Sequence, residues 1–123
     1  MINSINNKPA FKGEVTLKYD DNALSRIGLD NEYKARKDFT HLLSSKLMEN
    51  ALDTFEKFTP DDSILELKLS VDAKKPILEM KHYSDKKPEI YDIDRIEIKE
   101  ENFKNAAMKV IDMVVNYFHS EKE

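Results

Sequence analysis

The sequence predicts an α+β fold, a two-layer sandwich in which two helices cover one face of a mostly antiparallel four-stranded sheet. Four segments alternate apolar and polar residues with the period of a β-strand, and two longer segments place apolar residues three and four positions apart, as on a helix. Their order along the chain is β-α-β-β-β-α. One apolar sheet face and two apolar helix stripes bury most simply against each other, which predicts the two layers.

Length and composition predict a single domain. The 123 residues fit one domain, and 40% of them are apolar, which is enough to build a core. Charged residues make up 36% with both signs mixed, as on a well-solvated globular surface. We expect the polar, Asn-rich residues 1–10 to be a flexible lead-in and residues 11–123 to form the domain.

The first strand is predicted over residues 11–19, and the first helix runs from about Asp30 to about Phe58. Aspartate is a common N-cap, and a proline follows the helix two residues after its predicted end. The apolar stripe of this helix drifts around the cylinder instead of staying on one side. The helix therefore either wraps obliquely across the sheet or bends near Ser44 and Ser45.

Three further strands are predicted over residues 65–71, 78–83 and 90–99. The segments between them are turn-forming and of hairpin length, so these strands are expected to be antiparallel neighbours. The pairing of the first strand stays open, because its long crossover permits a parallel edge. Alternation breaks phase in the last strand, which predicts a bulge near Asp94.

The last helix, from about Asn102 to His119, carries an apolar arc of roughly 220°, whereas packing on a sheet needs little more than about 100°. Something must therefore cover the side with Met108, Ile111 and Val115. The cover is either the first helix or another molecule, a second subunit or a protein partner. These three residues form the candidate interaction surface.

Charge and hydropathy weigh against two classes of partner. The net charge is −4, and no segment carries the basic stripe that duplex binding normally needs, so nucleic acid is an unlikely partner. No apolar run approaches the length that spans a membrane. The first residues lack the apolar core of a secretory signal, so we expect a cytoplasmic protein.

The sequence offers little catalytic or metal-binding chemistry. It contains no cysteine, and its histidines lack metal-ligand spacing, so no cofactor or metal is expected. His82 is the one histidine in phase with the apolar face of a strand, which makes it a candidate for a pocket between sheet and helices. A buried structural histidine is the more usual outcome of such a pattern. We expect the basic cluster Lys34, Arg36 and Lys37 to belong to a solvated helix face.

The element order is similar to that of the ribosome hibernation-promoting factors. Residues 101–107, leading into Val110, Ile111 and Asp112, loosely resemble the last helix of that family. The resemblance implies an RNA- or ribosome-associated module. The sequence departs from the family in charge, since the family's helices are basic and the last helix here carries only Lys104 and Lys109.

Three functional hypotheses follow, and we do not expect the protein to be an enzyme. The first is a small non-catalytic protein-interaction or regulatory module, for which a homodimer is one form. The second is an RNA- or ribosome-associated module with the topology of a hibernation factor. The third is a small ligand-binding protein with a pocket around His82.

Overall fold

The computed structural model describes residues 12–87 and 90–122, so the predicted lead-in over residues 1–10 lies outside the described residues. The elements, in chain order, are β1 Glu14–Tyr19, α1 Asp21–Ser25, α2 Leu29–Ser44, α3 Lys46–Phe58, β2 Ser63–Asp72, β3 Lys75–Ser84, β4 Ile90–Glu97 and α4 Phe103–Lys122. A short 3-10 turn, Glu100–Asn102, precedes α4.

The four strands form one sheet in the order β1-β2-β3-β4. The pairs β2–β3 and β3–β4 are antiparallel, whereas β1 runs parallel to β2. This confirms the predicted α+β fold with a mostly antiparallel sheet. The parallel edge that the long crossover permits is the one that forms, and β1 and β4 are left as the two edges of the sheet.

The predicted first helix is two helices that meet at Ser45. The backbone of Ser45 is extended, with φ −66° and ψ 147°, and its Oγ accepts a hydrogen bond from Met48 N at 3.4 Å. The same hydroxyl donates to Leu42 O at 2.7 Å, so one serine ends α2 and caps α3. The bend is therefore the correct alternative, and it explains why the apolar stripe drifts.

The chain between β1 and α2 forms the short helix α1. Asp20 Oδ1 caps it by accepting a hydrogen bond from Ala23 N at 3.1 Å. The helix α2 then begins at Leu29, directly after Gly28, whose φ of 92° suits a residue without a side chain. Within the described residues the helical layer thus contains four helices, because α1 adds one and the bend divides the predicted first helix into two.

The bulge in β4 lies at Tyr91 and not near Asp94. His82 pairs with Asp92 and Tyr83 pairs with Ile90, so Tyr91 is the extra residue, whereas Asp94 pairs regularly with its partner on β3. The predicted position is wrong because it assumes that acidic side chains face solvent. In the structure Asp92 and Asp94 lie on the same side of the sheet as the helices.

The core lies between the sheet and the helices. Its fully buried side chains come from every layer, with Leu65, Leu67, Leu69, Leu78 and Met80 from the sheet and Leu24, Phe39, Phe55, Met48 and Val110 from the helices. The opposite, open face of the sheet carries ion pairs, including Lys18 Nζ to Glu66 Oε1 at 3.3 Å and Arg95 to Glu79 at 3.0 Å. One face is therefore apolar and covered, and the other is charged.

Truncation of the core should lower stability. We expect Leu67→Ala and Val110→Ala each to reduce the free energy of unfolding by about 1–4 kcal/mol, because both side chains are fully buried and truncation leaves a cavity. Urea denaturation measures the change. Leu47→Ala, at a half-exposed position on α3, is the control and should cost less than either. Unchanged urea midpoints for the core variants would contradict this assignment of the core.

Candidate functional site

The candidate interaction surface on α4 is only partly covered. The helix buries its other side, which includes Val110 and Met113, while α3 lies alongside it. Ile111 is half-buried against the core, whereas Met108 and Val115 remain 51% and 44% exposed. These two residues lie seven positions apart, two helical turns, and so share one side of α4. The structure leaves a short apolar stripe there.

A second exposed apolar group lies on α2. Leu29 and Tyr33 are four positions apart on its first turns and are 85% and 70% exposed. An open cleft of about 600 Å³ runs along this side of the helix, lined by Tyr33, Arg36, Lys37, Thr40, His41 and Ser44. This cleft is larger than three other surface clefts, whose volumes are about 310, 210 and 300 Å³.

Carboxylates neutralise most of the basic cluster beside this cleft. Arg36 donates to Asp21 Oδ1 at 2.9 Å and to Glu32 Oε2 at 2.9 Å, and these hydrogen bonds raise its pKa. Lys34 Nζ donates to Asp38 Oδ2 at 2.8 Å. The predicted interpretation as a solvated helix face agrees with these pairs, since two of the three cations already have anionic partners.

His82 lies in the core. Its ring is fully buried between the rings of Phe55, Tyr91 and Tyr117, whose centroids are 5.0, 4.8 and 5.6 Å from its own. Nε2 lies 3.3 Å from Ser63 Oγ, and Nδ1 is buried with no hydrogen-bond partner among the residues that the structure describes. The site is therefore an aromatic cluster built across β3, β4 and the helices.

Burial also sets the protonation state of this ring. Loss of solvent lowers the pKa of His82 to about 4, against a smaller opposing effect of Asp92, the residue paired with it on β4. The imidazole is thus neutral at physiological pH. The described clefts are lined by other residues, so a solute has no route to His82 through them.

The acidic residues of β4 join the sheet to α4. Asn116 Nδ2 donates to Asp92 Oδ2 at 3.2 Å, and Lys109 Nζ donates to Asp94 Oδ2 at 3.0 Å. Within residues 12–87 and 90–122, no group of three or more His, Asp or Glu side chains could hold a metal ion. The contacts at Asp92 and Asp94 fix the position of α4 on the edge strand.

The sequence permits β1 as a parallel edge strand but does not predict that its apolar side chains are exposed. Leu17 and Tyr19 alternate with polar residues and read as core positions, but their strand is the outermost one, and they are 47% and 43% exposed on the helix side. The sequence did contain one signal of an edge strand, the charged residues Glu14 and Lys18 on the other side of β1. Whether these charges mark an edge strand depends on the order of the strands in the sheet, which local periodicity does not give.

The buried neutral state of His82 makes stability depend on pH. In the unfolded chain His82 takes up a proton near its ordinary pKa of 6.5, whereas the folded protein keeps it neutral down to about pH 4. The unfolded state therefore binds more protons between these values, and stability should fall by up to about 3 kcal/mol as the pH drops from 6.5 to 4. Urea denaturation at a series of pH values measures this loss.

His82→Phe is the control for this pH dependence, because it keeps an aromatic ring in the cluster and removes the titrating group. The variant should lose less stability than the parent between pH 6.5 and pH 4.5. Equal losses in the two proteins would show that His82 does not carry the effect.

Comparisons with protein-family models, with curated proteins and with solved structures find no match to this chain. None of the helices within residues 12–87 and 90–122 combines the length and the apolar character needed to cross a membrane.

Proposed function

We propose that this protein is a small non-catalytic module that acts by binding another protein, with the apolar stripe of Met108 and Val115 on α4 as part of its contact surface. The observation that carries the proposal is the exposure of both side chains, at 51% and 44%, beside the half-buried Ile111. Covering apolar area of this size contributes about 1 kcal/mol per side chain, and methionine adapts readily to a partner surface. From the sequence we expect the module to work in the cytoplasm.

The ligand-binding alternative has less support, because its anchor is enclosed. His82 is fully buried under aromatic rings, so a ligand would need the core to open before it made contact. The RNA- or ribosome-associated alternative stays a prediction with weaker support as well. Lys109, one of the two lysines of the predicted last helix, is engaged with Asp94, and the net charge of −4 opposes a phosphate backbone.

A charge placed in the stripe should remove the partner without unfolding the protein. We expect Met108→Lys to change the free energy of unfolding by no more than about 0.5 kcal/mol, because the position is exposed. Affinity capture from an extract of the cells that make the protein, quantified by mass spectrometry, should then show the loss of specific partners.

Asn105→Lys is the matched control, since it adds the same charge at an exposed position of α4 about 60° around the helix from Met108. Identical sets of captured proteins for Met108→Lys, Asn105→Lys and the parent would contradict the proposed surface. A lower molecular mass of Met108→Lys in solution, with its fold intact, would identify the partner on α4 as a second copy of the chain.

A further inference from the structure

We propose that the free edge of β1 is self-complementary, and that two copies of the chain join their sheets there in antiparallel orientation. The pairing extends each four-stranded sheet into one continuous sheet across a twofold axis. It uses a different surface from the stripe on α4, so it stands whether or not that stripe binds a partner.

Along this edge no other strand within residues 12–87 and 90–122 pairs with the backbone of β1. Asp20 N donates to Leu69 O at 2.9 Å, so by the alternation of a strand the groups of Thr16 and Lys18 also point toward β2. Those of Val15 and Leu17 then point away from the sheet. At the start of the strand Gly13 N donates to Glu56 O at 3.0 Å, which closes the edge at that end and leaves β1 itself open.

One antiparallel register fits the side chains of this strand. Pairing Val15 with Leu17 of the second copy uses the outward-pointing backbone groups of both residues. The same register places Thr16 opposite Thr16 at the twofold axis and Glu14 opposite Lys18. Residues directly opposite each other lie on the same face of the sheet, so apolar meets apolar on the helix side and opposite charges meet on the open face.

Two features of the single chain favour this register. The hydroxyl of Thr16 is buried and makes no hydrogen bond within the described residues, and a threonine pair across two strands supplies one. Leu17 is 47% exposed and gains Val15 of the second copy as a neighbour. A register with Leu17 at the twofold axis in place of Thr16 would put Glu14 opposite Asp20, a pair of like charges.

The other edge of the sheet lacks this complementarity. The strand β4 is interrupted by the bulge at Tyr91. If two copies of β4 paired antiparallel with any of residues 92–95 at the twofold axis, two like charges from Asp92, Asp94 or Arg95 would lie opposite each other. Bulges and charges are devices that keep edge strands from pairing with other chains. Of the two edges of the sheet, β1 is therefore the one that suits pairing with a second copy of the chain.

A single cysteine at the twofold axis tests the register, because the chain contains no other cysteine. In a non-hydrogen-bonded antiparallel pair the Cα atoms lie about 4.5 Å apart, within the range that a disulfide bridges. We expect Thr16→Cys to form a disulfide-linked dimer under mild oxidation, seen on non-reducing gels and by intact mass. Lys18→Cys is the control on the same strand and face, since its two copies would lie roughly 13 Å apart and should not link.

Charge exchange provides a second test that needs no oxidation. We expect Glu14→Lys alone, and Lys18→Glu alone, each to weaken dimerisation by roughly tenfold in sedimentation experiments, because each brings like charges together at both ends of the interface. An equimolar mixture of the two variants should recover dimers, since every pair is then again of opposite charge. Circular dichroism checks the fold, above all for Lys18→Glu, which also meets Glu66.

Several outcomes would overturn the proposal. The parent chain remaining a monomer at every concentration tested would do so, as would equal crosslinking of Thr16→Cys and Lys18→Cys. A double variant that carries both Ile5→Cys and Thr16→Cys provides a further check. A disulfide within one chain of this variant would show that the N-terminal segment occupies the edge. Dimers that survive Glu14→Lys unchanged would place the contact elsewhere, and Met108→Lys would then show whether it lies on α4.

Discussion

Burial of the apolar face of β2 and β3 under the helices is the interaction on which the rest of the structure depends. Leu65, Leu67 and Leu69 of β2 stand beside Leu78 and Met80 of β3, and all five are fully buried. A straight helix between β1 and β2 would not keep its apolar stripe on this face, because the stripe drifts. The break at Ser45 corrects the drift, so that α2 buries Phe39 and α3 buries Phe55 against the same core.

This arrangement also decides which surfaces remain for function. The two central strands lie inside the sheet, so β1 and β4 become its edges and differ in how they are protected. The outer side of α4 extends beyond what α3 and the sheet cover, which leaves Met108 and Val115 in solvent. The aromatic cluster around His82 is the reverse case, since a titratable group is enclosed and held neutral by burial. The edge of β1 and the outer side of α4 are therefore the exposed surfaces on which the functional proposals are built.

Local periodicity predicted most of this fold, because strand alternation and helical stripes are properties of neighbouring residues. The four strands, the final helix and the excess apolar arc on α4 could be found in this way. The bulge at Tyr91 could not, because Asp92 and Asp94 face Lys109 and Asn116 of α4 and not solvent. The exposure of Leu17 likewise depends on the parallel pairing of β1, which is a non-local choice. The exposed apolar stripe on α4 was therefore predictable, whereas the exposure of Leu17 on β1 was not.

The proposed pairing at the outer edge of β1 is most directly tested by amide hydrogen exchange at two protein concentrations. Thr16 and Lys18 face β2, so their amides should exchange slowly at both concentrations. The account predicts that the amides of Val15 and Leu17 exchange rapidly in dilute protein and become protected as the concentration rises. Rapid exchange of Val15 and Leu17 at both concentrations, or equal protection at both, would contradict it.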